Sequence, residues 1–169
     1  DIVLWAKRVA ELYPQAKIVL HGVSMGAATV MMAAGREDLP QSVVAAVEDC
    51  GYTNADELIA MQMENSFGLP AFPAMNLLNW RCEKVAGFNL HDAAPIDAVR
   101  HARVPILFIH GTKDTLVPPN MAEQLYAAAN APKKELLMIP GAVHAAASQA
   151  DQQTYFRTIR NFVKPYMEE

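Results

Sequence analysis

Apolar and polar positions along this chain switch between two periods. Near the N-terminus Ile2, Trp5, Val9, Leu12 and Tyr13 recur at helical spacing and predict a helix over 1–13. Short, β-favouring apolar runs at 16–21, 42–48, 104–110 and 134–139 predict strands, and 25–35, 54–65, 119–130 and 151–166 read as helices. Strands alternating with helices in this way predict right-handed βαβ units, hence an α/β fold on a parallel sheet. One stretch breaks the rhythm. From 66 to 101 the chain is apolar and interrupted by Pro70 and Pro73, which predicts an irregular or helical insert, either packed on the sheet edge or lying as a lid over a pocket.

Gly22-Val23-Ser24-Met25-Gly26 sits between the apolar run ending at His21 and the small-residue helix from Ala27 to Gly35. A serine that follows a buried strand and opens a helix matches a nucleophile elbow. The flanking glycines are expected to remove side chains that a tight strand-to-helix turn would crowd. The helix aims its first N–H groups and positive dipole end at the serine, so Met25 N–H is placed to donate to an oxyanion formed beside Ser24.

A serine hydroxyl is a weak nucleophile and needs a base oriented by a carboxylate. The strand at 104–110 runs into Gly111-Thr112-Lys113-Asp114, and the strand at 134–139 runs into Gly141-Ala142-Val143-His144. Residues just beyond the carboxyl ends of parallel strands share one crevice, so Ser24, Asp114 and His144 can converge. Asp49 also ends a strand and is a rival acid, whereas Asp49-Cys50-Gly51-Tyr52 reads better as a buttress of the crevice floor. Cys50 lacks an elbow and reads as a small core residue. His21 and His110 end buried strands and read as structural, and His91 and His101 lie in polar connections. His144 alone enters a loop of small residues that leaves an imidazole uncovered.

Four blocks carry a resemblance: His21-Gly22-Val23-Ser24-Met25-Gly26-Ala27-Ala28-Thr29, Glu48-Asp49-Cys50-Gly51-Tyr52-Thr53, Ile109-His110-Gly111-Thr112-Lys113-Asp114 with Val117-Pro118, and Pro140-Gly141-Ala142-Val143-His144. In this order they resemble the C-terminal part of an α/β-hydrolase of the serine-hydrolase group, nearest the uncharacterised bacterial hydrolases related to the bile-acid acyltransferase C-terminal and serine-aminopeptidase-like branches. The resemblance implies Ser24 as nucleophile, Asp114 as acid and His144 as base. It also implies that 1–169 is the C-terminal part of one domain, with 66–101 as a lid or cap and the second oxyanion donor on a loop before residue 1. The activity implied is cleavage of an ester, thioester or amide through an acyl-enzyme. Acyl transfer by the same triad, or a silent fragment lacking the oxyanion loop, remain as alternatives.

Composition narrows the partners. With 169 residues, 52% of them hydrophobic and 19% charged, the chain can bury a sizeable core. A net charge of −4 with scattered basic residues argues against nucleic acid. No apolar run is long enough to span a bilayer, and membrane contact is not expected within this segment. Two cysteines, Cys50 and Cys82, without CxxC spacing predict neither a disulfide framework nor a zinc site. No cofactor is expected, only a small-molecule acyl substrate. The strand at 16–21 is expected to expose its Ile18 and Leu20 faces and an open edge, through which the chain would self-associate or pair with an N-terminal part. The compartment is open: cytoplasmic, or the cell surface if an anchor lies upstream.

Overall fold

A computed structural model describes residues 1–168. Four parallel strands, β1 (Ile18–Val23), β2 (Val43–Asp49), β3 (Ile106–Gly111) and β4 (Lys134–Ile139), lie side by side in chain order. When each strand is added on the same side of the last, right-handed crossovers deliver all the linking helices to one face. That face carries α1 (Ile2–Leu12), α2 (Met25–Ala34), the short α5 (Pro95–Ala98) and α6 (Pro119–Ala128), which enclose a core around Val30, Met31, Ile106, Phe108 and Leu125. The chain then turns through the four-residue α7 (Ala147–Ala150), and α8 (Gln152–Glu168) covers the opposite face with Tyr155 and Phe162 packed on Val47, Leu107 and Ile109.

Burial explains the sequence pattern. β3 is covered on both faces, so Ile106 to Ile109 are all fully buried and its run is continuously apolar rather than alternating. α2 buries six of its ten residues between sheet and neighbouring helices, which is why it is apolar nearly all round. β1 is an edge strand. Its Leu20 is nonetheless buried beneath α1 and α2 and Ile18 is half-buried, so what β1 leaves open is its hydrogen-bonding edge rather than the Leu20 face.

Most element boundaries differ from the periodic reading by one or two residues, and those of β1 and β3 bear on the strand ends. β1 runs two residues further, through Gly22 and Val23, because its ladder with β2 continues to Val23 and Asp49 and Ser24 N–H then donates to the Asp49 carbonyl at 2.8 Å. β3 starts at Ile106 rather than 104, although the Pro105 carbonyl accepts from Ala46 N–H. The 66–101 stretch is helical in its main part. α3 (Ala55–Phe67) is capped by the Asn54 side chain, which accepts from Asp56 N–H, and α4 (Ala71–Ala86) packs against it, with a break in helical geometry at Phe72. Gln62 of α3 donates to the Leu116 carbonyl at 2.6 Å, tying this region to the loop after β3.

Candidate active site

The strand carboxyl ends bring together Ser24, Asp114 and His144. Ser24 stands between β1 and α2 at φ 55°, ψ −116°, a left-side backbone conformation that a non-glycine residue adopts only when its surroundings enforce it. The enforcement is visible: Ser24 N–H is held by Asp49, and its carbonyl accepts from Ala28 N–H at 3.1 Å. Gly22 is required by contact, since a Cβ there would lie 2.1 Å from the Gly26 carbonyl oxygen. Gly26 is different. An added Cβ would meet nothing within 4 Å, so the expectation of crowding holds for the first glycine of the elbow and not for the second.

Ser24 Oγ lies 2.8 Å from His144 Nε2, and His144 Nδ1 lies 2.7 Å from Asp114 Oδ2. An ionised carboxylate only accepts, so Nδ1 carries the proton and donates to Asp114. That leaves the Nε2 lone pair facing the serine, and Ser24 Oγ–H donates to it. Asp114 is buried, and its other oxygen, Oδ1, accepts from Leu116 N–H and Val117 N–H, each at 2.9 Å. Four residues of loop are thereby folded around one carboxylate. His144 keeps 19% of its side chain exposed, as access for a substrate requires. Met25 N–H is the first of α2 and has no partner within the helix. Exposed Met25, Leu116 and Val143 set an apolar collar beside Ser24, Asp114 and His144.

Asp49 lies elsewhere in the hydrogen-bond pattern. Tyr155 of α8 donates its hydroxyl to Asp49 Oδ2 at 3.0 Å, and His21 Nε2 lies 3.0 Å from the same hydroxyl. Burial holds the Asp49 carboxyl above the usual carboxylate range, which suits a structural acid better than an anion that must stabilise an imidazolium. Cys50 is fully buried at φ 52°, and burial pushes its thiol up to about 12. Its sulfur, a carboxylate oxygen of Asp114 and a ring nitrogen of His144 lie within 4.8 Å of one another, a spacing compatible with a metal ion. Two of those ligands are already bonded to each other and the third is held protonated, so the set is poorly suited to one. His91 and His101 are exposed, the former paired with Asp56.

Several residues at this site escape the pattern reading. Besides Ser24, the non-glycine residues with positive φ among those described are Cys50 and Ala145, so all three stand at or beside the Ser24, Asp114 and His144 cluster. Glu48 is fully buried beneath the turn and accepts from Gly51 N–H at 2.9 Å. Its only sequence signal is a charge at the end of an otherwise apolar strand.

Known proteins align with this arrangement. The chain is 27% identical over 146 residues to the uncharacterized protein YqkD of Bacillus subtilis, a match covering 86% of this chain and 47% of that protein. It is 27% identical over 129 residues to the alpha/beta hydrolase domain-containing protein WAV2 of Arabidopsis thaliana, covering 69% and 42% respectively. The chain thus spans about half the length of these curated relatives. The Pyrococcus furiosus esterase Pf2001 superposes with a TM-score of 0.73 at 22% identity, over 99% of this chain and 61% of that one. The Pyrococcus horikoshii acylaminoacyl peptidase does so with a TM-score of 0.65 at 17% identity, over 96% and 27%. The fold is therefore that of the α/β-hydrolases. The model of the prolyl oligopeptidase family matches residues 1–169, and the chain belongs to that family.

Proposed function

We propose that this chain carries the catalytic centre of a serine hydrolase that cleaves carboxylic esters through an acyl-enzyme. The observation that carries the reading is the continuous hydrogen-bonded line Ser24 Oγ, His144, Asp114, with a nucleophile-to-base distance of 2.8 Å. Ser24 Oγ attacks the carbonyl carbon while His144 Nε2 takes its proton, and Asp114 stabilises the imidazolium. Met25 N–H donates to the developing oxyanion. His144 then protonates the departing alkoxide, the C–O bond breaks, and an acyl-Ser24 ester remains. Water, losing a proton to His144, attacks that ester; the acyl–Oγ bond breaks, His144 returns the proton to Ser24 Oγ, and the carboxylic acid leaves.

Ester cleavage is favoured over amide cleavage because exposed Met25, Leu116 and Val143, next to Ser24, Asp114 and His144, offer apolar contact to an acyl group. The family match and the acylaminoacyl peptidase likeness support amide cleavage as a second reading. The 66–101 segment is proposed to act as a lid; its α4 packs against α3, which is joined to the Asp114 loop through Gln62. The open edge of β1 is proposed to pair with another chain or with further strands of the same one.

A fluorophosphonate probe followed by peptide mapping tests the centre. Labelling at Ser24, lost in Ser24→Ala, is expected; labelling elsewhere or none refutes it. Paired p-nitrophenyl ester and anilide substrates with the same acyl group separate the two readings, and added alcohol detects acyl transfer.

A further inference from the structure

His110 is the penultimate residue of β3 and fully buried, and the loop that carries Asp114 follows Gly111. Its Nε2 lies 2.9 Å from the Val117 carbonyl and 3.3 Å from Asp114 Oδ2. The Val117 carbonyl is an acceptor, so Nε2 carries a proton and donates to it, while Asp114 Oδ2 lies beside that N–H without accepting a hydrogen bond from it. Nδ1 is buried with no partner among the described residues. One imidazole thus spans the loop from its start to Val117, and Asp114 Oδ2 lies between two histidines: His144 at 2.7 Å and His110 at 3.3 Å.

We infer that His110 is a positioning residue for the reaction, whose Nε2–H holds the Val117 carbonyl, and with it the loop that carries Asp114, and sets the positive end of its N–H dipole beside Asp114 Oδ2 so that the carboxylate meets His144 Nδ1. The N–H dipole 3.3 Å away also offsets part of the charge of Asp114. A carboxylate relieved of that dipole attracts its remaining partner more strongly, so loss of His110 makes His144 hold its proton more tightly. A histidine that only scaffolded the loop would act in the opposite direction, because a loosened Asp114 would drift from His144 and release that proton. The other ionisable groups close by are Asp49, which faces both histidines, and Cys50, which faces Asp114. Neither is altered by the test.

The kinetic part rests on the proposed serine-hydrolase reading, whereas the spectroscopic part does not. His110→Phe keeps the apolar packing and removes the donor, and His110→Gln returns an N–H near the Nε2 position. In the intact protein the NMR titration midpoint of His144 is expected to move to higher pH in His110→Phe and to return in His110→Gln. The acidic limb of kcat/KM for a p-nitrophenyl ester is expected to move the same way, with kcat down about tenfold and KM little changed. A midpoint that stays or moves to lower pH in His110→Phe overturns the inference, as does a His110→Gln variant as impaired as His110→Phe. Absence of fluorophosphonate labelling in the wild type overturns the hydrolase reading instead, and the NMR midpoint then judges His110 alone.

Discussion

Glu48→Gln should make the protein more stable, and increasingly so as pH rises. Glu48 lies fully buried under the turn after β2, near Met31 and Ala27 of α2, with one oxygen accepting from Gly51 N–H and the other without a partner among the described residues. Burial pushes its carboxyl from 4.5 up to about 8, opposed by the Gly51 N–H and reinforced by the neighbouring Asp49. The folded chain therefore keeps a proton that the unfolded chain releases above pH 4.5. Stability contributed by this group is fully present below pH 4.5, declines as pH rises, and is lost by about pH 8. Across that window the loss is on the order of 5 kcal/mol, a large part of the stability of a typical domain. Glutamine has the same shape, accepts from Gly51 N–H and cannot ionise, so it removes the slope without opening a cavity. The assay is urea unfolding of both proteins from pH 4 to pH 9 at constant ionic strength. Near pH 4 the two should agree, and the advantage of Glu48→Gln should grow up to about pH 8 and then level off. Parallel curves, or a variant less stable than the parent at pH 8, would refute the argument and mean that Glu48 is ionised and paired in the fold.

The remaining predictions concern the elbow, the acid and the sheet edge. Ser24→Ala and His144→Ala should each lower ester hydrolysis by on the order of 10³-fold or more, with the double mutant little worse; additive losses would show that the two do not act as a unit. Asp114→Asn should reduce kcat far more than Asp49→Asn, and the reverse ranking would transfer the acid role to Asp49. Gly22→Ala should destabilise by about 3 kcal/mol in thermal or urea unfolding, because its Cβ meets the Gly26 backbone. Gly26→Ala should change stability by less than about 1 kcal/mol, and equal effects would contradict the different spaces beside the two glycines. Sedimentation of the isolated 169 residues should show association, whereas a monomer at all concentrations would count against pairing through β1.

The α/β alternation, the elbow and the order Ser24, Asp114, His144 were legible in the sequence because each is a local pattern. Apolar periodicity reports which residues can face a core, and the Gly-Val-Ser-Met-Gly turn reports a strand handing over to a helix. Their convergence was legible too, because parallel strands must end at one side of the sheet. Three features belong to the tertiary structure alone. The end of β1 was set by its ladder with β2, an interaction with residues 26 positions away that no local propensity encodes. The hydrogen-bond partner of Asp49 depended on which face it presents: side chains alternate along a strand, so Glu48 turns toward α2 while Asp49 turns toward α8 and meets Tyr155, 106 residues distant. His110 reads from sequence as one more core residue, and only the curl of 111–117 brings Asp114 Oδ2 to 3.3 Å from its ring. Local sequence thus determined the elements and which side chains stand at their ends. Partners and protonation were decided by packing, because they depend on what lies across the sheet rather than along the chain.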